Sequence, residues 1–302
     1  MYDCIVVGGG PAGLSAALLL GRSRRRVLLF DSGMPRNREA RAMHGYLTRD
    51  GIAPGEFRRV ARADLGQYES VELRQGEIES ASLVADGFHV CPKGAAPELA
   101  RTLLLCTGVV DDVPAIEGLE PMYGISVHHC PFCDGWEHRD EPIAVYGCGE
   151  PAGKFALGMR QWSRDLVLCT NGPEGLAPDL REQLDANGVQ VRAERVVSLE
   201  GEEGRLRRIH FESGPPLERS ALFFCTGQRQ RSDLAARIGA QYNEKGTVDT
   251  HGAERTTVPG LWVAGDASKD AQLVIVAAAE GAAAAVAINT ELTRRDLAAS
   301  AR

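Results

Sequence analysis

Residues 4–31 read CIVVGGGPAGLSAALLLGRSRRRVLLFD, and no other stretch of the chain restricts its fold so tightly. A short apolar strand, Ile5 to Val7, runs into Gly8-x-Gly10-x-x-Gly13; an apolar helix follows, and a second strand ends on Asp31. Gly8 permits the tight turn, Gly10 lets backbone approach a pyrophosphate, and Gly13 lets helix and strand pack closely. The helix N-terminus adds free N–H groups and the positive end of its dipole. Asp31, eighteen residues after the last glycine, is placed to accept hydrogen bonds from a ribose. The order strand, glycine turn, helix, strand, acid predicts a parallel β-α-β unit that binds a dinucleotide.

A second unit of this kind lies at PIAVYGCGEPAGKFALGMRQWSRDLVLCTNG, where Gly147-x-Gly149-x-x-Ala152 separates a strand, Ile143 to Tyr146, from a helix and a further strand, Asp165 to Cys169. Two units imply two nucleotides, or one site that has been lost. The runs LLLCTG at 103–108 and LFFCTG at 222–227 read as apolar strands closing on Thr-Gly, return points where the chain crosses between domains. Near the end, TTVPGLWVAGDAS gives a strand into Gly265-Asp266, and a helix is expected over 271–290. That window is mostly alanine with Glu280 at its centre, and an ionised carboxylate is costly in hydrocarbon, so it reads as a buried helix and not a membrane span.

At 302 residues the chain has room for two domains, and its net charge of -7 argues against a nucleic-acid partner, which needs a basic face for phosphates. The one basic run, Arg22 with Arg24, Arg25 and Arg26, reads as a solvated helix end. The N-terminus shows no signal-peptide pattern. Eight cysteines without that pattern suit a reducing cytoplasm, where only a functional pair cycles. Cys4, Cys106 and Cys225 sit in apolar runs and read as small core residues.

Only Cys130 and Cys133 form a motif, within SVHHCPFCDGWEHRD at 126–140. Spacing alone allows a metal site, a structural clip or a redox centre. Zinc needs four ligands; His129, Cys130 and Cys133 offer three, and no second pair stands at ligand spacing elsewhere. A C-x-x-C beside β-α-β units favours redox chemistry. Cys130 is expected to open a helix whose unpaired N–H groups favour a thiolate, with Pro131 suited to the first turn.

Together, the fingerprint at 8–13, the Cys-Pro-Phe-Cys-Asp-Gly run, the second glycine turn and Gly265-Asp266 before an alanine-rich helix resemble a low-molecular-weight thioredoxin reductase. The resemblance covers nearly the whole chain in order. It implies an α/β fold of two Rossmann-like domains, the second inserted in the first: an FAD domain at 1–111 and 245–302, and an NAD(P)-binding-type domain at 112–244 carrying the Cys pair. It also implies a homodimer. By resemblance, Cys133 is the flavin-proximal thiol, Cys130 exchanges with substrate, and Asp134 handles protons. Candidate cofactor contacts are Gly8, Gly10, Gly13, Asp31, Asn37, His44, Gly265, Asp266 and Gln272, with Gly147, Gly149 and Ala152 in the second domain. His129, beside the exchanging thiol, is a candidate general base or else a packed residue at the domain junction; His128 is expected merely to pack.

Two departures bear on the electron donor. Thioredoxin reductases hold the NADPH 2'-phosphate with a His-Arg-Arg run where this chain has Thr170-Asn171-Gly172. Without guanidinium partners a strong NADPH preference is not expected, and no acid stands there for NADH. Arg36-Asn37 and Met43-His44, with Asn171-Gly172, resemble dithiol oxidases of the gliotoxin oxidase type, which pass electrons from a dithiol through a Cys pair to FAD and then to dioxygen. Asp134 points the other way, since fungal oxidases of that branch carry His there. Three readings stay open: a dithiol oxidase-like enzyme acting on small dithiols or a thioredoxin-like protein, an NAD(P)H-dependent disulfide reductase, and a non-catalytic flavin-binding redox sensor. The first is the leading expectation.

Overall fold

The computed structural model describes residues 1–301, which divide into two compact units. Residues 1–38 and 45–110, with the chain from Arg229 onward, form the first; residues 39–44 and 111–228 form the second.

The first unit begins with β1 (Tyr2–Val7), α1 (Pro11–Arg22), β2 (Val27–Asp31), α2 (Pro54–Leu65), β3 (Val71–Gln75), β4 (Ile78–Val84), β5 (Gly87–Pro92) and β6 (Glu98–Leu105). β1 lies between β2 and β6, parallel to both, with Val7 opposite Phe30 and Leu105. All of β2 and nearly all of β1 are buried, which is why their sequences are continuous apolar runs and not alternating ones. β4 and β5 continue the sheet antiparallel from β6.

The second unit holds β7 (Val109–Asp111) across its boundary, then β8 (Val127–His128), α3 (Pro131–Asp134), β9 (Ile143–Tyr146), α4 (Gly149–Met159), β10 (Leu166–Cys169), α5 (Pro178–Ala186) and β11 (Gln190–Arg192). There follow β12 (Val196–Glu202), β13 (Arg205–Phe211), β14 (Leu217–Glu218), β15 (Ala221–Phe224) and β16 (Gln228–Gln230). β8, β9, β10, β11 and β15 make a parallel sheet in the order β11-β10-β9-β15-β8; β12, β13 and β14 form a separate antiparallel one.

The return to the first unit falls after Gln228, within β16, where the sequence suggested 244. Residues beyond it join the first core: α6 (Leu234–Ile238) places Leu234 and Ala235, with Ala240 after it, among Tyr2, Phe30 and Phe88. Residues 39–44 group with the second unit because Glu39 and Ala40 lie against Gly124, where a side chain would meet their backbone at 2.5–2.9 Å.

The chain closes with β17 (Leu261–Val263), parallel to β6, and α7 (Val274–Ser300), ten residues longer at its C-terminal end than the sequence suggested. By length and composition α7 could cross a membrane, yet Ala277, Ala284, Ile288 and Leu292 are buried in the first core. It runs hard against α1: a Cβ at Gly281 would stand 1.9 Å from the Ala12 carbonyl oxygen. Arg25 secures the same pair, bonding Asn289, Thr293 and Asp296, so the basic run is partly structural and not wholly a solvated helix end.

Candidate active site

The fingerprint turn is shaped by what its glycines touch. A Cβ at Gly8 (φ +117°) would reach the Cys106 carbonyl oxygen at 2.2 Å, and one at Gly13 the Gly8 oxygen at 1.9 Å, so both are required by packing. Gly10 differs, because a Cβ there meets nothing within 4 Å. It caps α1 with no side-chain cap bond and with Pro11 at the first turn, leaving an open approach to the helix N-terminus. These residues fit a pyrophosphate.

Asp31 is buried at the end of β2, its Oδ1 accepting the Gly33 N–H at 2.8 Å. Its Oδ2 receives Arg58 at 2.7 Å and also Arg62, one turn apart on α2. Burial pushes its carboxyl up, but the Gly33 N–H and the two guanidinium groups outweigh that and hold it below the ordinary value. Sequence reasoning missed both arginines; their i,i+4 spacing put them on one face without naming a target.

Gly265 (φ +83°) follows β17 and packs toward Ala12, where a Cβ would stand 3.2 Å from the alanine's own. Its N–H donates to Glu280 Oε2 at 2.8 Å. Burial pushes Glu280 up to about 7, against that hydrogen bond. Asp266 and Gln272 are joined by Arg36, whose Nη1 lies 2.9 Å from the Asp266 carboxylate and 2.6 Å from Gln272 Oε1. Asn37 stands half-buried in the turn that carries Arg36. His44 groups with the second unit, its Nε2 3.5 Å from Glu137.

The second glycine turn keeps its shape: Gly147 (φ +156°) lies against the Cys225 carbonyl and against Ala152, which is fully buried. Its helix N-terminus is engaged differently. The Gly149 N–H, at the start of α4, donates to the Glu174 carbonyl at 2.9 Å, and a Cβ at Gly175 would come 3.5 Å from Gly149. The chain at 172–175 therefore folds onto the turn where a pyrophosphate would approach. Beside it, Asn171 (φ +55°) accepts the Val196 N–H at 2.8 Å, and Thr170 donates to the Gly172 carbonyl. Arg192, on the neighbouring strand, pairs with Glu194 and lies 3.9 Å over the Phe211 ring.

Cys130 and Cys133 are joined by a disulfide, Cα to Cα 5.3 Å, with Cys130 capping α3 and Pro131 at its first position. Phe132 and Trp136, 73% and 65% exposed, flank the pair, and Phe132 packs edge-on against Trp162. Burial pushes the thiols of Cys4 and Cys169 up to about 12, which leaves them poor nucleophiles. Among the described residues no group of His, Cys, Asp and Glu could hold a metal ion.

The two histidines before Cys130 diverge. His129 points to Asp111, Nε2 to Oδ1 3.8 Å, and packs by Tyr123 and Phe224. His128, expected merely to pack, is 5% exposed with Nδ1 3.4 Å from Asp134 Oδ1 and Nε2 3.1 Å from His138 Nε2. His128 closes β8 and His129 lies in the bend just past it, so the two rings leave in different directions, and the sequence does not say which of them meets the Asp134 side.

Residues 2–281 match the family model for pyridine nucleotide-disulphide oxidoreductase. A protein of Arthroderma benhamiae named "Probable thioredoxin reductase" is 34% identical over 96% of this chain and 80% of its own length. Thioredoxin reductase aclD of Aspergillus oryzae is 30% identical over 97% and 96%. The crystal structure of HlmI superposes with a TM-score of 0.95 at 36% identity, covering 100% of this chain and 95% of HlmI. The chain therefore belongs to the pyridine nucleotide-disulphide oxidoreductase family, as an FAD-dependent thiol-disulfide oxidoreductase of its thioredoxin-reductase-like members with a redox-active Cys130–Cys133 pair.

Proposed function

We propose that the chain oxidises dithiols, passing two electrons from a small dithiol or a thioredoxin-like protein through Cys130–Cys133 to FAD and on to dioxygen, with little use of NADPH. The observation that carries this reading is the Gly149 N–H given to the Glu174 carbonyl, in a loop without a free guanidinium for a 2'-phosphate. A nucleotide entering there has to displace the chain's own hydrogen bond, and it finds none of the charge-assisted contacts that reward the exchange.

The Gly8–Gly13 turn, Asp31 and the Arg36-linked pair Asp266 and Gln272 would hold FAD, which would supply the two-electron acceptor. The chain's residues do the rest. A substrate thiolate attacks the Cys130 sulfur; the Cys130–Cys133 bond breaks, and Cys133 leaves as thiolate with the electron pair. The second substrate thiol then closes the substrate disulfide and frees Cys130. Phe132 and Trp136 offer an apolar landing beside the attacked sulfur.

The second reading is an NAD(P)H-dependent thioredoxin or disulfide reductase, which the names of the sequence relatives favour over the oxidase. Steady-state turnover in air decides between them. Dithiothreitol alone should be consumed with release of hydrogen peroxide in equal amount; rapid NADPH oxidation that requires thioredoxin and yields no peroxide establishes the reductase.

A further inference from the structure

Behind the Cys pair four side chains stand in file. Asp134, the residue after Cys133, lies 3.4 Å from His128 Nδ1; His128 Nε2 lies 3.1 Å from His138 Nε2; and His138 Nδ1 lies 2.9 Å from Glu141 Oε2. Side-chain exposure runs 21%, 5%, 13% and 43% along the file, from the redox helix through the buried His128 and the half-buried His138 to solvent. β15 backs it with Phe223, whose ring lies 5.3 Å from His128 and 6.2 Å from His138. The ionisable groups placed against the two imidazoles are Asp134 on one side and Glu141 on the other.

We propose that Asp134, His128, His138 and Glu141 form a proton relay between the thiols of the Cys pair and solvent. It rests on the reading that this pair exchanges with substrate, and it serves either direction of electron flow. Two imidazoles facing Nε2 to Nε2 share one proton, because two bare lone pairs at that distance repel. With Glu141 accepting His138 Nδ1–H and His138 Nε2 accepting His128 Nε2–H, the remaining His128 Nδ1 is a lone pair aimed at Asp134. A proton reaching the Asp134 carboxyl therefore has an acceptor in line. Moving it to His128 Nδ1 sends the Nε2 proton to His138 and the Nδ1 proton of His138 to Glu141; loss of that proton from Glu141 to water restores the starting charge, and the two rings then shift back to their first tautomers before the next proton passes.

The exchange step supplies that proton. A substrate thiol gives its proton to Asp134, its sulfur bonds Cys130, the Cys130–Cys133 bond breaks, and Cys133 keeps the electron pair as thiolate. In the opposite direction the relay runs inward, protonating the leaving substrate thiolate. Asp134 touches the reacting step; His128, His138 and Glu141 act through it.

The test uses the full-length flavin-loaded protein with Glu141→Gln and His138→Gln, and follows single-turnover exchange with dithiothreitol, without oxygen, from about pH 5 to about pH 9 in H2O and D2O. Glu141→Gln should slow exchange about tenfold near neutrality and His138→Gln about 10²-fold, the range of general acid-base assistance, with added imidazole buffer restoring most of the rate. In histidine 15N spectra a hydrogen-bond coupling between His128 Nε2 and His138 Nε2, which lie 3.1 Å apart, should appear in the native protein and be lost in His138→Gln. Unchanged rates, pH profiles and solvent isotope effects in both variants overturn the relay, as does the absence of that coupling in the native protein. A native protein that exchanges with no dithiol sinks the exchange reading instead, and the histidine spectra then decide the relay without it.

Discussion

Replacing Glu280 by Gln should make the protein more stable, by an amount that grows as pH rises from 4.5 to about 7. Glu280 is 9% exposed, and its Oε2 accepts the Gly265 N–H at 2.8 Å. Burial lifts its carboxyl from 4.5 to about 7. At about 1.4 kcal/mol per unit, the ionised form costs the fold about 3 kcal/mol relative to the protonated one. The folded value lies above the unfolded one, so the stability this carboxyl contributes is complete below pH 4.5 and is lost as pH rises through about 7. Gln offers Gly265 the same carbonyl oxygen and cannot ionise. The variant should match the native protein near pH 4.5 and exceed it by up to about 3 kcal/mol near pH 8. Urea unfolding at both pH values, followed by circular dichroism, measures the gap. A gap that does not change with pH, or a variant weaker than native near pH 8, refutes the reasoning.

Gly10→Ala should fold normally, since its Cβ meets nothing within 4 Å, yet hold FAD at least about tenfold more weakly, while Gly13→Ala should lose stability outright; thermal melts with flavin titration separate the two. With Cys130→Ser the remaining Cys133 thiolate should give a long-wavelength charge-transfer band with oxidised FAD, and with Cys133→Ser that band should be absent while Cys130 forms mixed disulfides with added thiols; the reverse pattern in visible spectra inverts the roles. Placing Arg at 171 and 172 together should not restore NADPH use: Gly172 at φ +138° strains any side chain by about 1–3 kcal/mol, Asn171 loses its bond to Val196, and Glu174 still holds the Gly149 N–H. A gain in NADPH-driven flavin reduction by this variant would contradict that.

The parts of the fold legible in the sequence are the local ones. β9, Ile143 to Tyr146, and the end of β2 at Asp31 follow from apolar runs meeting glycine turns, signals contained within a few residues. What escaped depends on chain brought from afar. Arg58 and Arg62 reach Asp31 from α2, and Arg36 links Asp266 to Gln272 across more than two hundred positions. The return at β16 was hidden because its Gln-Arg-Gln has no apolar pattern, and its partners in the first core are known only once Leu234 and Ala240 are in place. His128 looked like filler beside His129 for the same reason: its meaning lies in His138, ten residues on, and in Asp134 beyond the disulfide. The Glu174 carbonyl on Gly149 left only a trace in sequence, the glycines at 172 and 175 that take positive φ.

The most direct test of the account is the reductive half-reaction of the bound flavin. Mixed without oxygen in a stopped-flow spectrometer with NADPH, NADH and dithiothreitol in parallel, the flavin should bleach fast with the dithiol and slowly with either nucleotide at micromolar concentration, and the bleached protein should reoxidise in air with release of hydrogen peroxide. Bleaching within milliseconds by micromolar NADPH, followed by transfer of the electrons to thioredoxin, would contradict the oxidase account and establish the reductase.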